Sequence, residues 1–106
     1  MEEIILGTEA KVGISFTDIQ GFNAYDDTWE VRLYTNPRKK VVIDQYHCIP
    51  SGTDGKEFIV PFDSAEVGVG VLNVEIVVNV PDEAFVLSDG KRTEIIRIES
   101  VGTIIP

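Results

Sequence analysis

The chain has 106 residues, enough for one domain with its own hydrophobic core, and its 43% hydrophobic and 25% charged residues are typical of a globular protein. The formal net charge of −9 argues against nucleic acid as a partner, because such binding neutralises phosphates with Lys and Arg. The single cysteine, Cys48, excludes an intrachain disulfide, and no stretch approaches the ~20 apolar residues of a membrane-spanning helix.

The first half of the chain alternates apolar and polar residues at period two, which predicts strands. Phe22 and Tyr25, in the loop after the second strand, are expected to cap one end of the core. Pro37 supplies a fixed φ for a β-turn, so the third and fourth strands are predicted to form a hairpin. The predicted strands are Glu2–Leu6, at an edge, then Glu9–Thr17, Thr28–Thr35 and Lys40–His47.

The second half continues the pattern with longer strands. Ile49–Gly55 is predicted to be a loop, and Pro61, which cannot donate a ladder hydrogen bond, predicts an edge strand or a strand end. Asp63–Gly70 is predicted to form a corner in which Asp63 and Ser64 bond nearby backbone. A blurred phase near Ser100 predicts a bulge or kink. The predicted strands are Glu57–Phe62, Val71–Val80 and Lys91–Ile105, the last two joined by the loop Pro81–Gly90 with its turn at Asp89-Gly90.

The strand Val71–Val80 organises the predicted fold, because one of its faces is entirely apolar. That face consists of Leu72, Val74, Ile76, Val78 and Val80. Trp29 is predicted to face this strand at the centre of the core. With about seven strands and no amphipathic helix of ordinary length, residues 1–106 are predicted to form a single all-β domain, a two-sheet antiparallel β-sandwich.

No catalytic, cofactor-binding or metal-ligating residue is predicted. His47 and Cys48 are adjacent, so in a strand they would point to opposite faces, and a zinc site needs further His or Cys ligands that the chain lacks. The same lack of partners argues against a Cys–His nucleophile. We therefore expect a protein that is not an enzyme and that requires neither cofactor nor metal.

Three sets of side chains leave alternatives open. The loop carboxylates could bind calcium or could be solvated turn residues. The tyrosines could form a carbohydrate platform or could pack within the sheets. The basic cluster could meet an acidic partner or could guard an edge against pairing. The loop carboxylates are Asp26, Asp27, Asp82, Glu83 and Asp89. The tyrosines are Tyr25, Tyr34 and Tyr46, and the basic cluster is Arg38, Lys39 and Lys40.

The order of strands, the early Trp29 and the Asp-x-Ala corner at Asp63 and Ala65 resemble the immunoglobulin-like fold, although its disulfide and its tyrosine corner are absent. More narrowly, the chain resembles small immunoglobulin-like proteins of phages and prophages, found among tail, baseplate and host-attachment components. The segments that carry this likeness are Gly7–Ala10, Trp29–Leu33, Phe62–Glu66 with Gly68 and Gly70, and Arg92–Glu94 after Asp89-Gly90.

This resemblance implies a structural or assembly role exercised through protein contacts, with other virion components as partners. The alternative is a module that binds carbohydrate or another surface ligand. Glu2 and Glu3 stand where a signal peptide has basic residues, so we expect synthesis in the cytoplasm, with incorporation into a virion as a later step. Neither nucleic acid nor membrane is an expected partner.

The apolar character of the last residues raises the question of self-association. Val101–Pro106 continues an apolar run beyond the charged part of the last strand. Such a segment either covers an edge of its own sandwich or contributes to a homo-oligomer contact, and the oligomer contact is slightly favoured.

Overall fold

The computed structural model describes residues 2–16, 19–53 and 55–106, and these form an all-β sandwich of two sheets, as predicted. Five strands lie in the order β1-β8-β7-β3-β4 and three in the order β2-β6-β5. Every pair is antiparallel except β1 with β8, which is parallel. The strands are β1 Glu2–Ile5, β2 Glu9–Ser15, β3 Trp29–Asn36, β4 Lys39–Asp44, β5 Ile49–Ser51, β6 Glu57–Asp63, β7 Gly70–Pro81 and β8 Lys91–Ile105.

The organising strand lies where the alternation placed it. β7 pairs with β3 on one side and with β8 on the other. Its apolar face is fully buried against the three-stranded sheet, each residue being at most 1% exposed: Leu72, Val74, Ile76, Val78 and Val80. β1 is an edge strand, as predicted. Thr17, the end of the predicted second strand, lies outside the described residues.

Trp29 lies at the centre of an aromatic cluster in the core. Its ring centroid is 4.8 Å from that of Phe16 and 4.9 Å from that of Phe58, both edge-on. The indole Nε1–H donates a 2.8 Å hydrogen bond to the carbonyl of Ala24, so the one polar atom of the side chain is satisfied. The prediction that Trp29 and Val74 share one core is confirmed.

The predicted caps of the core differ in depth. Phe22 packs against the core, with its ring 5.3 Å from that of Phe16. Tyr25 approaches Phe58 at 5.8 Å but remains 59% exposed, so it covers the end of the core only partially.

Two predicted boundaries near the middle of the chain are wrong. The fourth strand ends at Asp44 rather than His47, because the Asp44 carboxylate accepts the backbone N–H groups of Tyr46 and His47 at 2.9 and 3.2 Å and starts a 3₁₀ turn. The predicted loop Ile49–Gly55 begins with the short strand β5, which pairs with β6. Asp54, within that predicted loop, lies outside the described residues.

The predicted corner contains a single helical turn, α1 Ser64–Val67. The Asp63 side chain accepts the Ala65 N–H at 2.9 Å and caps this turn, as expected. Ser64 bonds distant rather than nearby backbone: its hydroxyl donates to the Thr8 carbonyl at 2.7 Å and accepts the Gly7 N–H at 2.9 Å. The corner therefore joins the β1–β2 connection to the start of β7. Among the described residues, no helix is long and apolar enough to cross a bilayer.

The C-terminal segment belongs to its own sheet. The predicted bulge is present: Ser100 adopts a φ of 58°, and its N–H donates to the Asn73 side chain at 3.0 Å. Beyond the bulge, β8 pairs with β7 on one side and with β1 on the other, and Ile104 is fully buried. Of the two roles expected for Val101–Pro106, the structure shows pairing within its own sheet, and the homo-oligomer contact stays a prediction.

Candidate functional site

The loop between β7 and β8 presents three consecutive apolar side chains to solvent. Phe85 is 44% exposed, Val86 is 79% exposed and Leu87 is fully exposed. Val86–Ser88 forms a 3₁₀ turn within the loop, and Phe85 directly precedes it. We call Phe85, Val86 and Leu87 the apolar tip. Isolated apolar residues on a surface are ordinary, but a contiguous exposed group is typical of an interaction site.

Backbone hydrogen bonds fix the loop that carries the apolar tip. The N–H of Asp82 donates to the carbonyl of Gly90 at 2.7 Å, and the N–H of Gly90 donates to the carbonyl of Phe85 at 2.9 Å. Asp89 and Gly90 both adopt positive φ, as the predicted turn requires. The Arg92 guanidinium lies 3.2 Å from the Asp82 carboxylate and ties the base of the loop to β8. A loop ordered in this way loses little conformational entropy on binding.

The Asp82 carboxylate is engaged by a turn N–H and by Arg92 of β8. One oxygen of Asp82 accepts the Ala84 N–H at 3.1 Å, and the other faces Arg92. In the β2–β3 loop, the Asp27 carboxylate accepts the Asn23 N–H at 2.8 Å. Within residues 2–16, 19–53 and 55–106, no group of three His, Cys, Asp or Glu residues could hold a metal ion. These contacts are those of turn residues and give no support to the calcium alternative.

The three tyrosines do not share one exposed surface. Tyr34 is buried, whereas Tyr25 and Tyr46 are exposed. Tyr46 lies in the 3₁₀ turn after β4 rather than in a strand. A flat carbohydrate platform needs coplanar exposed rings, and burial of Tyr34 removes the third ring of the predicted set.

One residue of the basic cluster at the β3–β4 turn, Lys40, is bound within the sheet. Lys40 leaves the cluster: its ammonium bonds both carboxylate oxygens of Glu75 at 3.1 Å and lies 5.0 Å from the centre of the Tyr34 ring. Arg97 contacts the same carboxylate at 3.3 Å. Glu75 is thus a nearly buried charge on the outer face of the five-stranded sheet, and two cations compensate it.

The Glu75 cluster makes stability depend on pH. Burial raises the pKa of the Glu75 carboxyl, but the hydrogen bonds from Lys40 and Arg97, together with the positive charges of these two side chains, outweigh it and hold this pKa below its ordinary value. A lowered pKa contributes stability that is present above the ordinary value of about 4.3 and is lost as pH falls through the folded value. We expect Glu75→Gln to lower the free energy of unfolding at pH 7 by on the order of 1 kcal/mol.

Urea titrations from pH 7 down to pH 3 measure this effect. The difference between wild type and Glu75→Gln should shrink as the pH falls below the ordinary pKa. Glu83→Gln, which removes an exposed carboxylate, is the matched control and should change the free energy of unfolding at pH 7 by less than about 0.5 kcal/mol. A difference that stays constant down to pH 3 would contradict the assignment.

His47 and Cys48 differ sharply in environment. His47 is exposed, with its Nδ1 2.9 Å from an Asp44 oxygen, whereas Cys48 belongs to the buried core. Burial, with a further contribution from the Asp44 carboxylate, raises the pKa of the Cys48 thiol to about 11. Because the thiolate is the reactive form, the Cys48 thiol reacts slowly in the folded protein.

We therefore expect native Cys48 to react with a thiol reagent at pH 8 at least about a hundredfold more slowly than a free cysteine. The measurement is the rate of 5-thio-2-nitrobenzoate release from a disulfide reagent. Adding denaturant should raise the rate to that of a model thiol. A fast native reaction would show that Cys48 is accessible.

Comparison with protein-family models, with curated proteins and with solved structures finds no match to the chain. The site therefore rests on geometry alone. Sequence reasoning placed Phe85–Leu87 in a loop but gave it no role. The available signal was a run of apolar residues inside a segment otherwise made of turn residues, bounded by Glu83 and Asp89.

Proposed function

We propose that the chain is a non-catalytic structural or assembly module of a phage or prophage virion, and that it acts through protein contacts. The observation that carries this proposal is the apolar tip on an ordered loop. Three exposed apolar residues on a fixed backbone are suited to fill a pocket of a partner protein, because burying them yields hydrophobic energy at little entropic cost.

The strand order supports the immunoglobulin-like part of this proposal. In such sandwiches, the strands C, F and G share one sheet, variable-type domains add C′ beside C, and the strands B, E and D lie in the other. The orders β8-β7-β3-β4 and β2-β6-β5 match G-F-C-C′ and B-E-D. Trp29 on β3 then occupies the place of the buried tryptophan of strand C. The apolar tip lies on the loop between F and G, which takes part in recognition in variable-type domains.

The chemistry around the apolar tip favours a protein pocket over a lipid surface. Glu83 and Asp89 flank the tip, and the chain carries a net charge of −9. Anionic lipid headgroups would repel this surface, since attachment to such membranes relies on clustered Lys and Arg. A pocket with an apolar floor and a basic rim complements the tip in both respects.

Isolated particles test the proposal. Phage or tail particles from cells that produce the chain are purified by gradient sedimentation, and their proteins are identified by mass spectrometry. The wild-type chain should sediment with the particles, and Leu87→Asp should not. Tyr46→Asp adds the same charge at an exposed site on another part of the surface and should sediment as the wild type does.

The controls make both parts of the proposal falsifiable. Leu87 is fully exposed, so Leu87→Asp should change the free energy of unfolding by less than about 0.5 kcal/mol. Absence of the wild-type chain from all particles would refute the virion role. Equal incorporation of Leu87→Asp and Tyr46→Asp would refute the role of the apolar tip.

A further inference from the structure

A groove of about 760 Å³ runs between β4, the last strand of the five-stranded sheet, and the end of β6. Its floor is apolar because β5 is too short to cover this side of the core. Val41, Ile43, Pro61 and Phe62 supply the floor. We call this feature the β4 groove.

Hydrogen-bond alternation shows which backbone groups β4 presents to the groove side. Asn79 N–H donates to the carbonyl of Thr28. The backbone N–H and C=O groups of even-numbered residues of β3 therefore point toward β7, and those of odd-numbered residues point toward β4. Leu33 therefore exchanges its hydrogen bonds with Val41, and the next residue, Val42, points its N–H and C=O away from the sheet. Val42 is 56% exposed, and no hydrogen bond among the described residues uses its backbone on that side.

The opposite wall of the groove is closed to pairing. Phe16 N–H donates to the Lys56 carbonyl. The backbone N–H and C=O groups of even-numbered residues of β6 therefore point toward β2, and those of odd-numbered residues point toward β5 and the groove. Pro61 is the residue that faces the groove beyond the end of β5, and it has no N–H to donate. An additional strand entering here can therefore form a ladder with β4 but not with β6.

The charges of the groove define its occupant. Four carboxylates and His47 line it, and no Lys or Arg is found among the described residues that do so: the carboxylates are Glu9, Asp44, Asp63 and Glu66. Asp44 and Asp63 already accept backbone N–H groups of the turns that follow them, so Glu9 and Glu66 are the carboxylates most open to a partner. Lys40, which could guard the edge, is held on the outer face by Glu75. A Lys or Arg side chain suits such a groove, because its methylenes pack on the floor while its charge reaches the rim.

We propose that the free edge of β4 binds an extended, Lys- or Arg-bearing segment of a partner protein by strand addition. Backbone bonds to Val42 supply the pairing, and the carboxylates of the β4 groove supply the preference for basic residues. A second copy of the chain inserting its apolar tip is a poor occupant, since Glu83 and Asp89 beside that tip would meet carboxylates. This inference does not depend on the virion role.

Synthetic peptides test strand addition without altering the protein. The probe is a capped peptide of alternating valine and lysine, about eight residues long, which exceeds an average strand. Two further versions carry N-methyl groups, one on every valine amide and one on every lysine amide. In a strand, alternate N–H groups point to opposite sides, so only one of the two methylated peptides should lose binding.

Binding is followed by titration into the ¹⁵N-labelled full chain, with the Val42 amide as the reporter. The unmodified peptide should shift this amide in a saturable way below about 1 mM. No saturable shift, or equal binding of the two methylated peptides, would overturn the proposal.

Matched protein variants test the charge preference. Glu66→Gln removes a carboxylate of the groove, and Glu83→Gln removes one from the β7–β8 loop. The first should weaken peptide binding roughly two- to fivefold and the second should leave it unchanged. Equal effects of the two variants would mean that the net charge of the protein attracts the peptide, and the assignment of the β4 groove would be wrong.

Discussion

Replacing Trp29 with alanine is expected to lower the free energy of unfolding by about 3–5 kcal/mol. The side chain is buried, touches Phe16 and Phe58, and bonds the Ala24 carbonyl through its indole N–H. The substitution therefore leaves a cavity between the two sheets and an unpaired carbonyl. Many domains of this size have a total stability of about 5–15 kcal/mol, so this loss unfolds a large fraction of the molecules of a weakly stable protein.

Urea denaturation followed by far-ultraviolet circular dichroism measures this loss, and it does not depend on tryptophan fluorescence. Tyr46→Ala is the matched control, since it truncates an exposed aromatic side chain and should change stability by less than about 0.5 kcal/mol. A Trp29→Ala variant as stable as the wild type would contradict the packing of the two sheets around this residue.

Ser64→Ala is expected to cost about 1–3 kcal/mol, a large effect for the loss of one oxygen atom. The hydroxyl is fully buried and serves both as donor to the Thr8 carbonyl and as acceptor for the Gly7 N–H. Without it, the Gly7 N–H loses its partner where the β1–β2 connection meets α1, and the Thr8 carbonyl keeps only the backbone N–H of residue 64 at 3.1 Å. A buried polar group left unpaired costs more than a typical hydrogen bond contributes.

Ser88→Ala tests whether the position or the residue type matters. Ser88 lies in the β7–β8 loop, and its replacement should change the free energy of unfolding by less than about 0.5 kcal/mol. Similar costs for the two variants would show that the Ser64 hydroxyl is not a structural bond. Hydrogen exchange at the Gly7 and Thr8 amides should also accelerate in Ser64→Ala if the connection loosens.

The alternation of apolar residues was sufficient to predict the strands, because burial of one sheet face imposes period two on β7 and β3. Trp29 and the bulge near Ser100 followed from the same pattern. The short strand β5 was missed because Pro50 and the following Ser51-Gly52 suggest a loop, whereas pairing with β6 decides the outcome. Local signals of this kind are weaker than tertiary contacts.

The contacts that define the candidate surfaces were less accessible to sequence reasoning. Burial of Glu75 depends on Lys40 and Arg97, which are distant in sequence and meet only when β4, β7 and β8 share a sheet. Likewise, the β4 groove exists because β5 is short and Pro61 faces outward. Neither the length of β5 nor the direction in which Pro61 faces can be predicted before the order of the strands is known.

The parallel pairing of β1 with β8 has a consequence for the order of events during folding. Glu2 lies beside Gly102, so the first strand can find its partner only after residues 102–105 are available. Closing a loop of this length has a high entropic cost, and proteins dominated by such remote pairings fold slowly. We expect β1 to dock last, after β3, β7 and β8 have assembled, so that substitutions in β1 accelerate unfolding while leaving the folding rate nearly unchanged. During synthesis, residues 2–5 would then wait unpaired, with the side chains of Ile4 and Ile5 available to chaperones until the last strand emerges.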